Sequence, residues 1–284
     1  MDTKYIIGIV VALIIIVGAF LVLGGGGNSE QKISIAGSTS VQPLAEKLAT
    51  EYMKKNPDVK ISVQGGGSSV GIKSVQDGTA NIGTSSKSLK SDESTGLTQY
   101  EVAKDGIAVV ANKQNTVSGL SLDQIKGIFT GNITNWKEVG GSDAKINVII
   151  REDGSGTRDA FQEIVLGKTS NDTKVAFVKE AIVQSSTEAV QQTVAQDPNA
   201  IGFISFATVK DAKALNVNNV APSEATIMDD TYKIQRPFLF LVKGDAQGAI
   251  KAFIDWVNGP EGQAIIKDDK LVPVGKVVTG NSTK

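Results

Sequence analysis

The stretch INVIIREDGSGTR, residues 146–158, decides the fold that we predict for this chain. It begins with a run of β-branched residues, which is typical of a buried strand, and a Gly-Ser-Gly-Thr turn follows. Apolar residues then recur at helical spacing, at Phe161, Ile164 and Val165. The pattern predicts a strand, a tight turn and a helix.

Two of the three arginines in the chain, Arg151 and Arg158, lie in this stretch, and the third is Arg236. A turn that opens a helix presents free N–H groups, hydroxyl donors and the positive end of the helix dipole, which together favour an anion such as phosphate. Arginine adds a planar, permanently charged fork. The same residues also fit an ordinary helix cap, with Arg158 paired to Asp159 or Glu163. An anion site therefore requires the same chemistry elsewhere in the chain.

Three further segments repeat the order of strand and hydroxyl-rich turn. Strands predicted at 33–36, 59–64 and 80–83 precede the turns GSTS, GGGSS and TSSKS. The glycine run is not a nucleotide P-loop, because Ile72 occupies the position of the required lysine. Loops at the carboxyl ends of strands converge in open α/β sheets, so the four turns are predicted to meet around one ligand.

The composition excludes several functional classes. The 284 residues include no Cys and no His, so neither can supply a nucleophile, a thiol redox centre or a zinc site. The formal net charge of −1 argues against nucleic acid as a partner. With 40% hydrophobic and 21% charged residues, the length suits two α/β domains.

The N-terminal segment is predicted to enter a membrane. Residues 5–23 are 19 consecutive uncharged and mostly apolar residues, close to the ~20 that span a bilayer as a helix. The run exceeds the apolar part of a usual secretory signal, which favours an uncleaved transmembrane anchor over a removed signal. Residues 24–31 are a predicted Gly-rich tether, and the polar tail beyond Val274 is predicted to be loose.

The four motifs together resemble the phosphate-binding components of high-affinity phosphate ABC importers. The matching segments are AGSTSVQP at 36–43, GSS at 67–69, IGTSS at 82–86 and REDGSGTR at 151–158. The resemblance implies an α/β, two-lobed periplasmic-binding-protein fold (type II-like), in which each lobe is a mixed sheet flanked by helices and one N-terminal transmembrane helix precedes both. It places lobe 1 at 32–110 and 236–284 and lobe 2 at 111–235, after the anchor or signal and tether at 1–31.

The same resemblance implies a function and a ligand set. The function is extracytoplasmic capture of inorganic phosphate between the lobes and its delivery to an ABC permease, by a monomer tethered to the cell membrane. No catalytic residue, cofactor or metal is implied. The phosphate-binding residues, carried over position by position, are Thr39, Ser40, Ser68, Ser86, Arg151, Ser155, Gly156 and Thr157. Arg151 is expected to hold the dianion and Asp153 to orient its guanidinium, with Ser38, Ser69 and Arg158 as adjacent candidates.

One departure from the family pattern concerns selectivity. Many members carry an aspartate where Ser86 stands, and that carboxylate accepts the proton of hydrogen phosphate and repels sulfate. A serine hydroxyl can donate or accept and repels sulfate much less. Two alternatives therefore stay open: the same fold binding sulfate, molybdate or tungstate, or an enzyme for phosphorylated substrates that uses Glu152 or Asp153 as a base. Those two carboxylates are expected instead to pair with Arg151 and Arg158.

Overall fold

A computed structural model of the chain describes residues 30–168 and 173–278. The strands are β1 (Gln31–Gly37), β2 (Val59–Gly65), β3 (Ile82–Ser85), β4 (Leu97–Ala111), β5 (Gly119–Leu120), β6 (Asn147–Arg151), β7 (Ile182–Gln184), β8 (Ala200–Ser205), β9 (Lys213–Ala214), β10 (Asn216–Val217), β11 (Gln235–Lys243) and β12 (Val272–Val278). The α-helices are α1 (Gln42–Lys55), α2 (Ser68–Gln76), α3 (Ser91–Ser94), α4 (Leu122–Thr130), α5 (Gly156–Phe161), α6 (Thr187–Gln196), α7 (Glu224–Met228), α8 (Gly248–Asn258) and α9 (Pro260–Asp268).

The main sheet is mixed and follows the order β2-β1-β3-β11-β4-β8-β6-β7. At one end β2, β1 and β3 are parallel, and β11 and β4 continue the sheet in antiparallel pairing. At the other end β8 is antiparallel to β4, and β6 and β7 extend the sheet in parallel. Among the strands of residues 30–168 and 173–278, only β4, with 15 residues, pairs with strands at both ends. It therefore joins the two parallel groups into one curled sheet.

Two large hydrophobic cores lie on this sheet. The first core contains side chains from β1, α1, α8 and the part of β4 up to Ala103, together with Phe238 of β11. The second core contains side chains from β6, β8, α4 and α5, together with β4 from Ile107 onward and Ile234 before β11. The chain thus changes core between Ala103 and Ile107 and again between Ile234 and Phe238. Helices cover the opposite sheet faces as well, with α2 beside β11 and α6 beside β8.

The structure confirms the predicted strands and helices around the four turns and corrects three other expectations. The tail beyond Val274 is not loose throughout, because β12 continues to Val278 and pairs with β4. Pro273 and Gly275 hide this strand in the sequence, and an irregularity between Pro273 and Lys276 accommodates them.

The other two corrections concern β4 and the helix after Arg151. The apolar run at 107–111 predicts a strand of that extent alone, whereas β4 already begins at Leu97. After α5 the helix widens into a π-turn, Gln162–Leu166, so Ile164 is exposed while Leu166 packs in the core. Phe161 does face the core, where its ring stacks on Phe203 with centroids 4.1 Å apart and so fixes α5.

The predicted anchor at residues 5–23 lies outside the described residues. Within 30–168 and 173–278, no helix combines the length and the apolar character that crossing a bilayer requires.

Candidate functional site

The carboxyl ends of two groups of parallel strands face each other at the site. One group is β1, β2 and β3, and the other is β6 and β7, which run in the opposite direction along the sheet. The turns that follow β1, β2, β6 and β7 each lead into a helix, which are α1, α2, α5 and α6 respectively. The segment after β3 lies between them. Every predicted turn is therefore at the carboxyl end of a strand in one of the two groups, and the hydrogen bonds described next join the two sets.

A chain of hydroxyl groups connects the turns after β1, β6 and β7. Ser40 Oγ lies 2.9 Å from Thr157 Oγ1 and 2.9 Å from Thr187 Oγ1. Thr39 Oγ1 extends the chain, 3.4 Å from Thr187 Oγ1, and accepts the backbone N–H of Thr187. Three of these four side chains are buried, and Thr39 is partly exposed. The chain brings together the predicted residues Thr39, Ser40 and Thr157.

A second hydroxyl cluster joins the turns after β1, β2 and β3. Ser38 Oγ donates to Ser86 Oγ over 2.9 Å, and Ser86 Oγ lies 3.4 Å from Ser68 Oγ. Ser68 Oγ also accepts the backbone N–H of Ser86 over 3.1 Å. Gly156 lies against this cluster, since a Cβ built there would come 2.8 Å from Ser86 Oγ. The predicted residues Ser68, Ser86 and Gly156 are therefore neighbours.

The turns after β2 and β6 also touch through their backbones. The N–H of Ser69 donates to the carbonyl of Gly154 over 3.1 Å, and Gly67, with a φ of 96°, lies opposite the same carbonyl. A side chain at Gly67 would have its Cβ only 3.2 Å from that oxygen. The glycine run thus allows close approach of two backbones.

Arg151 is held by Glu152 and not by Asp153. Its Nε and Nη2 each donate to one carboxylate oxygen of Glu152 over 2.7 Å, and its Nη1 donates to Thr187 Oγ1 over 3.2 Å. Asp153 instead forms a 2.9 Å ion pair with Arg158. The expectation that Asp153 orients Arg151 is therefore wrong, because the neighbouring carboxylate occupies two edges of the guanidinium. The expected pairing of both acids with arginines is confirmed.

Two residues of this network were absent from the predicted site. Arg236 on β11 donates from Nη1 to Thr157 Oγ1 over 2.6 Å and to the Ser86 carbonyl over 3.3 Å. Thr187 lies at the centre of the first hydroxyl chain. Both carried a signal in the sequence. Arg236 is the third of three arginines, and Thr187 follows a strand and the pair Ser185-Ser186, which makes it a fifth copy of the motif.

The remaining predicted or adjacent candidates have local roles in this structure. Ser155 is buried, and its Oγ caps α5 by accepting the N–H of Arg158. Arg158 donates from Nη1 to the carbonyl of Arg151 over 2.9 Å. Ser69 is exposed and contributes its backbone N–H, as above.

Burial and neighbouring charges shift the pKa of Arg236 and that of its partner Asp105. Burial lowers the pKa of Arg236, the Asp105 carboxylate opposes that shift, and the positive charge of Arg151 adds to it. Burial likewise raises the pKa of Asp105, against the effect of Arg236. The two guanidinium groups are close enough to repel each other. A bound anion would relieve that repulsion.

The hydrogen-bond inventory shows what this arrangement can bind. Guanidinium groups only donate, so Thr157 Oγ1 accepts from Arg236 and Thr187 Oγ1 accepts from Arg151. The hydroxyl chain carries four protons, one on each of Thr39, Thr187, Ser40 and Thr157. Three hydrogen bonds join these hydroxyls to one another, and each uses one proton. At least one proton is therefore free for an acceptor outside the chain. An anion rich in acceptor oxygens meets that requirement.

Metal and cofactor chemistry has no support at this site. Among the residues that the structure describes, no group of three or more His, Cys, Asp or Glu side chains could hold a metal ion. Both oxygens of Glu152 are bound to Arg151, and those of Asp105 are bound to Arg236 and Ser205.

A buried ion pair borders the site. Lys87, directly after Ser86, donates over 2.8 Å to both Glu93 and Asp159, and its side chain is 7% exposed. Burial lowers the pKa of Lys87, but hydrogen bonds and charge from Asp159 and Glu93 outweigh it, so the pKa is raised. Burial raises the pKa of Asp159, but its contacts with Lys87 and Lys174 outweigh it, so the pKa is lowered. The pair connects the segment after β3 to α5.

Replacing Lys87 by methionine is expected to lower the free energy of unfolding by about 1.5–3 kcal/mol at neutral pH, since two charge-assisted hydrogen bonds disappear. A lowered pKa of Asp159 in the folded state stabilises the protein above its ordinary value of 3.8, and the contribution is lost as the pH falls through the shifted pKa. The raised pKa of Lys87 stabilises the protein below 10.5 and is lost only as the pH rises through the shifted value. Urea unfolding at pH 7 and pH 3 should therefore show the deficit shrinking in acid.

Lys73→Met is the matched control for this prediction. Lys73 pairs with Asp77 across an exposed helix surface, where their side chains are 76% and 50% exposed. Its loss should change stability by less than about 0.5 kcal/mol. An equally large deficit for Lys87→Met at both pH values would contradict the ion-pair account.

The comparisons with known proteins agree with this geometry. A family model described as a PBP superfamily domain matches residues 25–261. The phosphate-binding protein PstS of Bacillus subtilis is 34% identical over 256 residues, which cover 88% of this chain and 83% of that protein.

Solved structures point the same way. A Clostridium perfringens protein crystallised with bound phosphate has a TM-score of 0.81 and 42% identity, over 86% of this chain and all (100%) of that one. An ABC-type phosphate transport receptor from Vibrio cholerae has a TM-score of 0.71 and 34% identity over the same shares, 86% and 100%. The chain therefore belongs to the PBP superfamily and, within it, to the PstS family of phosphate-binding proteins.

Proposed function

We propose that this chain is the substrate-binding protein of a phosphate importer: it captures inorganic phosphate and delivers it to an ABC permease. The observation that carries the proposal is the hydroxyl network that ends on Arg151 and Arg236, because it has protons to donate and two positive charges behind them. Relatives named for phosphate binding and a similar structure with bound phosphate support it. The chain acts as a binding protein without a cofactor.

The proposed ligands are the eight residues carried over from the family pattern. Each lies in or beside the network, which also contains Thr187 and Arg236. A dehydrated phosphate needs many donors, and a charge-assisted hydrogen bond contributes about 1.5–3 kcal/mol net. Neutral hydroxyls and N–H groups can surround the ion, while the arginines balance its charge. The proposed ligand set is Thr39, Ser40, Ser68, Ser86, Arg151, Ser155, Gly156 and Thr157.

We further propose that the two cores belong to two lobes, 32–110 with 236–284 and 111–235, which close over the ion. The change of core near β4 Ala103–Ile107 and near the start of β11 supports two crossings between lobes, the first of them a few residues before the proposed boundary at 110. Hydroxyls of Ser40 and Thr157 touch although their helices pack on different cores, so ligand contacts from both sides would favour the closed form. The permease can then recognise closure.

The proposed location of the protein depends on its N-terminal segment. We propose that the apolar run at 5–23 anchors the chain in the cell membrane through the tether at 24–31, with the lobes on the extracytoplasmic side as a monomer. The support is the length of the uncharged run, 19 residues.

The experiment that tests the function is isothermal titration calorimetry of the full chain in mild detergent with inorganic phosphate. We expect one site with a dissociation constant of about 1 μM or tighter. Absence of binding heat and of any phosphate-dependent rise in melting temperature would refute the proposal. Release of phosphate from a phosphorylated substrate by the purified chain would favour the enzyme alternative.

A second ligand class is kept because of Ser86. Its Oγ accepts from Ser38 and has no carboxylate to repel a fully deprotonated anion, so sulfate, molybdate or tungstate could compete. Replacing Ser86 by aspartate should restore an acceptor for the phosphate proton and weaken sulfate competition about tenfold relative to phosphate. Competition titration checks this ratio. A sulfate-to-phosphate ratio that Ser86→Asp leaves unchanged would show that this position does not set selectivity.

A further inference from the structure

Arg236 lies at the place where the chain crosses between the two cores. In the ladder between β4 and β11 it stands directly opposite Asp105. The core changes between Ala103 and Ile107 on one strand and between Ile234 and Phe238 on the other. Any rotation of one lobe on the other must bend these two strands near this pair.

The pair is rigidly held and fully buried. Nε and Nη2 of Arg236 donate to the same oxygen of Asp105, over 3.1 and 3.0 Å, and Ser205 donates to the other oxygen over 2.8 Å. Both side chains are 1% exposed. A buried ion pair is weak evidence for stability by itself, since desolvation offsets its attraction. The ion pair between Arg236 and Asp105 therefore needs a role other than stability.

That role is visible at the remaining edge of the guanidinium. Nη1 reaches Thr157 Oγ1, at the start of α5 in the second core, and the carbonyl of Ser86, after β3 in the first core. Because Nη1 fills an acceptor position of Thr157, the Thr157 O–H is left to donate. Arg236 thus sets the direction of one ligand proton and contacts a turn from each core.

We propose that Arg236, held by Asp105, is a positioning residue that couples phosphate capture to lobe closure. The inference rests on the proposed phosphate function. Only when the crossing strands adopt the closed angle can one guanidinium edge contact both Thr157 and Ser86, so the Thr157 hydroxyl is correctly aimed in that form alone. The hinge and the ligand site therefore share one side chain.

The test compares phosphate affinity by calorimetry and the radius of gyration by X-ray scattering, in the full chain. Arg236→Gln should bind phosphate at least about tenfold more weakly, and phosphate should no longer produce the decrease in radius expected for the wild type. Arg236→Lys keeps the charge and the Asp105 partner, so it should recover thermal stability but not affinity, because an ammonium group cannot contact Asp105 and Thr157 together.

The Asp105→Asn variant shows whether Asp105 positions the Arg236 guanidinium or affects the anion only through its charge. Removing a negative charge near the site should tighten anion binding if Arg236 acts only through its charge. If Asp105 positions the guanidinium, affinity should instead fall about three- to tenfold. Lys104→Gln is the control, since Lys104 is the neighbouring residue on β4 and pairs with the exposed Asp230.

The outcomes distinguish this inference from the function on which it rests. If the wild-type chain binds no phosphate, both the proposed phosphate function and the coupling through Arg236 are wrong. Wild-type binding together with unchanged affinity and compaction in Arg236→Lys, or with unchanged or tighter binding in Asp105→Asn, would overturn the coupling alone. If Arg236→Gln does not fold, Arg236→Lys and Asp105→Asn still test the coupling.

Discussion

Replacing Arg151 by glutamine is expected to weaken phosphate binding by about 10²–10⁴-fold, the equivalent of losing two charge-assisted hydrogen bonds. Arg151 is 2% exposed and is aimed by Glu152, so its donating edge is pre-organised toward the hydroxyl chain. Glutamine can replace neither the charge nor the fork. Calorimetry with phosphate measures the loss. Circular dichroism should show an intact fold, because Glu152 is 26% exposed and water can solvate the carboxylate left behind.

Arg158→Gln is the comparison within the same turn. Arg158 also lies near the site, but it pairs with Asp153, whose side chain is 94% exposed, and with a backbone carbonyl. Its guanidinium group contacts the Arg151 carbonyl and Asp153 and none of the hydroxyls of the network. We expect a loss of less than about tenfold for this variant. Undiminished phosphate affinity in Arg151→Gln would remove Arg151 from the ligand set.

The four turns were predictable because a short local sequence pattern indicates each of them. A β-branched run followed by Gly, Ser and Thr residues specifies a strand end and a helix start within about ten positions. The rule for parallel sheets then brings together the ends within each parallel group, whereas the meeting of the two groups depends on tertiary structure. The turns that contain Ser40, Ser68 and Thr157 required no knowledge of long-range pairing, whereas the choice of these residues as ligands came from the family resemblance. The same reasoning would have included Thr187 if Ser185-Ser186 had been counted as another such turn.

Arg236 could not be placed from local pattern. It lies inside a strand, and its role depends on pairing with Asp105, 131 positions earlier, across a ladder register that only tertiary structure fixes. The choice between Glu152 and Asp153 was likewise undetermined, because both carboxylates are within reach of Arg151 in the sequence. The structure decides it by keeping the Glu152 backbone next to β7, where its N–H donates to the Gln184 carbonyl over 3.1 Å, while Asp153 turns outward.

Most of the site consists of donors that are neutral and small, and this makes it sensitive to volume as well as to charge. The Ser68 and Ser86 hydroxyls lie 3.4 Å apart with Gly156 against them. Close packing leaves no room for an added methyl group without movement of a turn. Movement of a turn in this region would oppose the closure proposed above.

Gly156→Ala is accordingly expected to lower phosphate affinity by about 10–100-fold, the range that follows from an overpacking cost of about 1–3 kcal/mol. A Cβ at this position would overlap Ser68 Oγ and would come within 2.8 Å of Ser86 Oγ and 3.0 Å of Ser68 Cβ. Ser68 cannot simply rotate away without losing the N–H of Ser86. Alanine suits the first turn of α5, so the melting temperature without phosphate should be unchanged or higher. Calorimetry and thermal unfolding, with and without phosphate, measure the two effects.

A double-mutant cycle locates the clash. Ser68→Gly removes both atoms of Ser68 that the new methyl group would meet, so Gly156→Ala should cost less affinity in that background than in the wild type. Gly66→Ala serves as the control for adding a methyl group in a cleft turn, because its Cβ would meet only the side chain of Val70, which is 47% exposed and free to move. Equal costs of Gly156→Ala in the two backgrounds would show that steric contact with Ser68 does not limit closure, and the affinity loss would then reflect a change in α5 itself.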